Sequence, residues 1–136
     1  LEQHKNRTDL EAAYDLAIEL NSDEVVLIGG EEGEVDQLFG ILLLCASLSN
    51  KIKTTWIQKD YSIYFQNKIL LDLDSEKMFS IIPITDLKNL IIKGAKWDID
   101  KELVIFGSSE TLRNESIGKK IKITIGEGKA AIAVKT

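Results

Sequence analysis

The sequence predicts an α/β plus all-β chain: a partial doubly wound α/β lobe followed by an antiparallel β-sandwich. Three observations predict it. In the first fifty residues, apolar positions at helical spacing flank a short β-branched run. Beyond residue 50 the apolar period changes from 3.6 to 2, and turn residues recur at short intervals. The stretch 25–37, V-V-L-I-G-G-E-E-G-E-V-D-Q, reads as a strand that runs into a glycine-rich turn and opens a helix at an acidic residue. The expected division is 1–50 for the α/β lobe and 51–136 for the sandwich. No linker-like composition separates the two, so they should pack tightly.

Each element follows in order. Thr8-Asp9-Leu10-Glu11 is a capping box, in which Thr8 accepts from the N3 amide and Glu11 reaches back. Leu10, Ala13, Tyr14, Ala17 and Ile18 then form one apolar stripe, and Asn21-Ser22-Asp23 stops the helix. Residues 24–28 are β-branched and apolar on both faces, the pattern of a central parallel strand. Residues 35–48 are apolar nearly all round, which predicts a buried helix ending at Ser49-Asn50. Strands are then expected at 52–58, 61–66, 68–72, 78–84, 87–92, 103–106, 120–125 and 130–134. Many short strands with no helix between them point to a sandwich or barrel. Trp56 lies within one of them and is read as core.

Composition excludes several classes. A chain of 136 residues makes one domain or two small lobes, and 44% hydrophobic residues suffice for an ordinary core. The formal charge of −5 and the lack of a basic stripe argue against a nucleic-acid partner. The one cysteine, Cys45, sits in an apolar run and reads as a small buried hydrophobe. The longest apolar run, 41–46, is far too short to span a membrane, and no signal peptide is visible. A cytoplasmic protein is therefore expected. The abrupt start, with no strand before the first helix, suggests a piece of a longer chain. His4 is the only histidine and lies near the N-terminus, so neither a catalytic triad nor a histidine-based metal site is expected.

The glycine turn points to phosphate chemistry with a condition attached. A turn at the carboxyl end of a parallel strand is where open α/β sheets bind nucleotides. Gly29, Gly30 and Gly33 do not fall in the G-x-G-x-x-G spacing of a dinucleotide site. Glu31, Glu32, Glu34 and Asp36 would repel a bare phosphate, so a divalent cation would have to stand between.

Several pieces stand in one order: Thr8-Asp9 at a helix start, the turn ending in Val35-Asp36-Gln37, Gly94-Ala95-Lys96-Trp97 between two strands, Asn114-Glu115 after a serine-containing loop, and a final hairpin with Gly128. That order resembles the thiamine pyrophosphokinase family over essentially the whole chain, which corresponds to the later part of a full-length member. The resemblance implies transfer of the diphosphate of ATP onto the hydroxyethyl group of thiamine, releasing AMP. It also implies an α/β lobe for ATP and Mg²⁺, a β-sandwich lobe for thiamine, and an active site at a homodimer interface.

Carried over residue by residue, the resemblance assigns roles. Asn6-Arg7-Thr8-Asp9 stands where the family has D-x-T-D, giving Asp9 a catalytic and metal-binding role and Thr8 a nucleotide contact. A plain helix cap accounts for Thr8 and Asp9 equally well. The family turn reads about G-A-T-G-G-R-L-D-H, or D-Q at its end. Gly29, Gly33, Asp36 and Gln37 match it: the glycines toward nucleotide, Asp36 toward metal and catalysis, Gln37 toward substrate. Glu32 replaces a glycine, at a position that would then need φ > 0 with a β-carbon present. Glu34 replaces an arginine, reversing charge where a phosphate would want a guanidinium. Gly94-Ala95-Lys96-Trp97 matches G-L-K-W, which makes Trp97 a stacking platform for the cationic thiamine rings. The alternative is that Trp97 packs in the sandwich. Thr111-Leu112-Arg113-Asn114-Glu115 stands at G-I-S-N-E, so Asn114 is a substrate contact while Arg113 replaces the family serine.

Asp9 and Asp36 would supply part of a Mg²⁺ shell. The family's acidic G-D-x-D-S loop has no counterpart in the sequence. A chain that works as given is thus expected to have weak or no kinase activity; a piece of a longer one would draw its remaining ligands from elsewhere. The second reading is a divergent, non-catalytic small-ligand-binding or dimerisation module of the same fold.

Overall fold

In the computed structural model, which describes residues 8–136, Thr8 starts the first helix as its sequence predicts. Its Oγ1 accepts from the Glu11 amide at 3.2 Å, at the head of α1 (Asp9–Glu19). Then come β1 (Glu24–Ile28), α2 (Val35–Leu48), β2 (Lys53–Ile57), β3 (Tyr61–Tyr64), β4 (Lys68–Leu71) and β5 (Met78–Pro83). They are followed by β6 (Leu87–Lys93), β7 (Ile99–Val104), β8 (Asn114–Glu115), β9 (Ile121–Glu127) and β10 (Ala130–Lys135). His4 and Asn6, named above, lie outside the described residues.

Two sheets hold the strands. One has six in the order β1-β2-β3-β10-β5-β8, the other four in the order β4-β9-β6-β7. Among the described residues only β1 and β2 run parallel, joined over α2 as a βαβ unit; the remaining pairs are antiparallel. The six-stranded sheet therefore runs through residue 50 without a break, since β2 bonds to β1 on one side and to β3 on the other.

β10 sits at the centre and explains both cores. Ala130, Ile132 and Val134 point between the sheets, where they join Phe79, Ile81, Leu90, Ile92, Ile121 and Ile123. Ala131 and Ala133 point the other way, toward α2, packing with Cys45, Ala46, Trp56, Ile63 and Phe65. Small alanines on that face let the helix approach closely, and bulky β-branched residues on the other fill the sandwich. Lys129 Nζ donates to the Ser47 carbonyl at 2.9 Å, fixing the end of α2 to the β9–β10 turn.

α1 is tied to the same face by Tyr14, 1% exposed. Its hydroxyl donates to Thr54 Oγ1 at 3.1 Å and lies 3.5 Å from Cys45 Sγ; Thr54 in turn donates to the Ile52 carbonyl. Burial pushes the Cys45 thiol and the Tyr14 phenol up from their ordinary pKa values.

Three sequence expectations are corrected. Among the described residues β1 stands at the sheet edge rather than at its centre, with Val26 and Ile28 on an open face. α2 is not buried all round: Cys45 and Ala46 are, whereas Val35, Phe39 and Leu43 face outward. The strand expected at 103–106 lies earlier, at Ile99–Val104, where its cross-strand partners on β6 fix the register. The expected buried states of Trp56 and Cys45 hold. Among the described residues no helix is long and apolar enough to cross a membrane.

Candidate functional site

The strand-to-helix turn after β1 is built on two left-handed glycines, Gly29 (φ +84°) and Gly30 (φ +83°). Gly29 is clamped by sheet and core: its amide donates to the Ile57 carbonyl at 2.9 Å, and its carbonyl accepts from Trp56 Nε1 at 2.6 Å. The buried indole thus holds the turn in place. Glu32 does not occupy the left-handed region, so the glycine the resemblance expected there is not needed for backbone reasons. Glu31 bridges the turn to β2's exit, its Oε1 accepting from the Lys59 amide at 2.9 Å. Gly33 stands where a Cβ would come 3.1 Å from Gln37 Oε1.

The heads of α1 and α2 meet at one concavity of about 480 Å³, lined by Thr8, Asp9, Asp36 and Gln37 among others. Four of the residues singled out from sequence are thereby brought together from two helix entrances, 27 positions apart at their carboxylates. Asp36 Oδ1 accepts from the Gln37 amide at 2.9 Å, and both residues are exposed. Helix N-termini add a favourable field for anions at this spot. Among the described residues there is no group of three or more His, Cys, Asp or Glu that could hold a metal. Two carboxylates do suit Mg²⁺, which takes one or two from protein and the rest from phosphates and water.

Trp97 and Asn114 line a second concavity of about 230 Å³, with Ile99, Glu110 and Arg113. No residue lines both this concavity and the first. The loop before Trp97 requires Gly94 at φ +93°, where a Cβ would collide with the Lys120 carbonyl. Asp98 Oδ1 accepts from the amides of Gly94 and Ala95 at 3.0 and 3.1 Å, closing the loop on itself. The result leaves the Trp97 ring 53% exposed. A large aromatic is held by its backbone and offered to solvent, so the alternative of a Trp packed in the sandwich does not apply.

Asn114, 4% exposed, holds that backbone. Its Oδ1 accepts from the Trp97 amide at 3.2 Å and its Nδ2 donates to the Trp97 carbonyl at 2.8 Å. Both ends of its amide are committed to protein, which makes it a positioning group for the indole. Glu115 forms an ion pair with Lys96 at 3.0 Å, and Lys96 Nζ lies 4.8 Å from the centroid of the Trp97 ring.

Sequence reasoning missed two features. β8 is a strand, pairing with β5 through Phe79↔Asn114 and Met78↔Glu115, although two residues are too few to show a period. Arg113 adopts φ +58°, which nothing in a T-L-R-N-E run signals.

Residues 66–129 match the family model described as "Thiamin pyrophosphokinase, vitamin B1 binding domain", a span that contains Trp97 and Asn114. The thiamine pyrophosphokinase of Bacillus subtilis is 28% identical over 129 residues, covering 91% of this chain and 60% of that protein. The crystal structure of that enzyme superposes with a TM-score of 0.88 at 24% identity, over 98% of this chain and 65% of the other. The thiamin pyrophosphokinase structure from Geobacillus thermodenitrificans gives a TM-score of 0.85 at 21% identity, over 98% and 64%. At those identities the structural likenesses establish the fold, an α/β unit continued into a β-sandwich. The chain spans a little under two thirds of the length of these relatives.

Proposed function

We propose that this chain, similar to thiamine pyrophosphokinase in a matched vitamin B1 binding segment and in the Bacillus subtilis relative, is a member of that family and takes part in transfer of diphosphate from ATP to thiamine. Residues 1–50 form the ATP side and residues 51–136 the thiamine side. The observation that carries the reading is the exposed Trp97 ring, clasped by Asn114, within the segment that matches a vitamin B1 binding domain.

Trp97 provides a flat, electron-rich face for the thiamine rings. Asn114 holds the Trp97 backbone, so the indole is presented from a fixed point of the loop. At the other concavity, Asp9 and Asp36 would hold Mg²⁺, which when bound neutralises charge on the phosphates. Thr8, Gly29, Gly33 and Gln37 shape the surrounding turn and helix entrances, and Gln37 offers an amide toward substrate. In this reading the protein's part in the chemistry is positioning. The two concavities share no lining residue, which favours a homodimer in which one copy's nucleotide side faces the other's thiamine side.

A non-catalytic, ligand-binding module of the same fold is the second reading, favoured by one observation: no cluster of three potential metal ligands among the described residues. Calorimetry on the full chain separates the two. Catalytic function predicts thiamine binding, and ATP binding that needs Mg²⁺ and disappears in Asp9→Asn and Asp36→Asn. Thiamine binding with no Mg²⁺-dependent nucleotide affinity would support the module. Absence of both would reject the site.

A further inference from the structure

Two cations and a strained backbone surround the Trp97 ring, and together they bear on which aromatic ligand fits. Lys96 Nζ already lies over the indole, 4.8 Å from its centroid. A second positive group brought against the same ring meets that ammonium's field. Arg113 lines the Trp97 concavity and also lines a neighbouring one of about 670 Å³, whose floor is Tyr61, Ile63 and Ile82. Its side chain therefore stands on the ridge between the two.

The carboxylates nearby are already engaged. Glu110 pairs with Lys101 at 2.8 Å and Glu115 with Lys96 at 3.0 Å. Arg113 makes no ion pair among the described residues; its Nη1 lies 3.6 Å from Met78 Sδ, a weak acceptor. A planar fork of donors without an anion is suited to phosphate. The backbone has been set for this side chain. Arg113 is left-handed at φ +58°, held there as its amide donates to Ser80 Oγ at 2.9 Å, while Thr111 Oγ1 donates to the Ile81 carbonyl at 2.6 Å just before it. Such a conformation is unfavourable for a long side chain and persists where surrounding contacts enforce it.

We propose that the Trp97 concavity selects a phosphorylated aromatic ligand over its unphosphorylated cationic form, with Arg113 as the specificity-determining group that receives the phosphate. The inference rests on the reading of Trp97 as the ring platform and narrows it: phosphorylated thiamine binds better than thiamine.

The test is calorimetry on the full chain with thiamine, thiamine monophosphate and thiamine diphosphate, in EDTA so that no metal bridges the phosphate. The wild-type chain should bind the monophosphate at least about tenfold tighter than thiamine at low salt, with the preference shrinking as salt is raised. Arg113→Ser should erase that preference while leaving thiamine binding intact or improved, and Arg113→Lys should keep part of it. Circular dichroism and melting would verify that each variant is folded. Equal or tighter binding of thiamine in the wild type, or an unchanged ratio in Arg113→Ser, would overturn the proposal while leaving Trp97-dependent binding in place. Binding that is indifferent to Trp97→Ala, or no binding of any of the three, would instead bring down the platform reading and this inference with it.

Discussion

Asn114 shows how one side chain shapes a binding surface it does not present. Its amide donates to and accepts from Trp97's backbone, while β8 anchors it beside Phe79. Asn114→Ala should cost about 2–3 kcal/mol in urea unfolding, because hydrogen bonds are lost and a buried carbonyl and amide are stranded. Asn114→Asp keeps the acceptor but sets a buried carboxylate oxygen against the Trp97 carbonyl, so at neutral pH it should cost at least as much as Asn114→Ala. Gly94→Ala should cost about 1–3 kcal/mol, since a methyl group there meets the Lys120 carbonyl. The pairing of Trp97 with Asn114 was legible in the sequence only as a matched pattern. The clasp between them joins residues 17 positions apart, and neither period nor composition reports such a bond. The left-handed Arg113 was invisible for a different reason: its conformation is imposed by Ser80 and the Thr111–Ile81 contact, far away in sequence.

The junction of α1, α2 and β2 behaves as a unit through Tyr14, Thr54 and Cys45. Both titratable groups there are neutral when protonated, and burial raises their pKa in the folded chain. The unfolded chain therefore gives up these protons at lower pH. Stability from this junction is complete below the unfolded thiol value of about 8.5 and is lost as pH rises beyond it. The unfolding midpoint should fall between pH 7 and pH 10, and the fall should be smaller in Cys45→Ala, which removes the thiol that titrates in that window. The helices were legible from spacing and from the Thr8 cap. What the periodicity could not show was which apolar faces would be covered. β1's alternating burial arises because one of its faces, with Leu27, packs against α2 while the other, with Val26 and Ile28, is uncovered, which is a property of the layers around it and not of its own residues. Hence Phe39→Ser on the open face of α2 should shift stability by no more than about 0.5 kcal/mol. Ile132→Ala, fully buried between the sheets, should cost about 2–5 kcal/mol.

Across the whole molecule, one continuous six-stranded sheet links the α/β unit to the sandwich, and two separate concavities lie on it or beside it: paired helix heads with two aspartates, and an exposed indole framed by cations. The change of period near residue 50 was legible as a change of architecture. The parallel β1–β2 pairing that carries the sheet across that point was not, because β2 reads the same whether its neighbour runs with it or against it. The central claim is that Trp97 is the surface on which thiamine stacks. The chain has two indoles, one exposed at 53% and one buried at 3%, so their side-chain N–H resonances distinguish the two environments. Titration of ¹⁵N-labelled protein with thiamine, followed through those two signals and assigned with Trp97→Phe, tests the claim directly. A saturable shift of the Trp97 signal with the Trp56 signal unmoved is the predicted result; a Trp97 signal that stays in place at millimolar thiamine would contradict it.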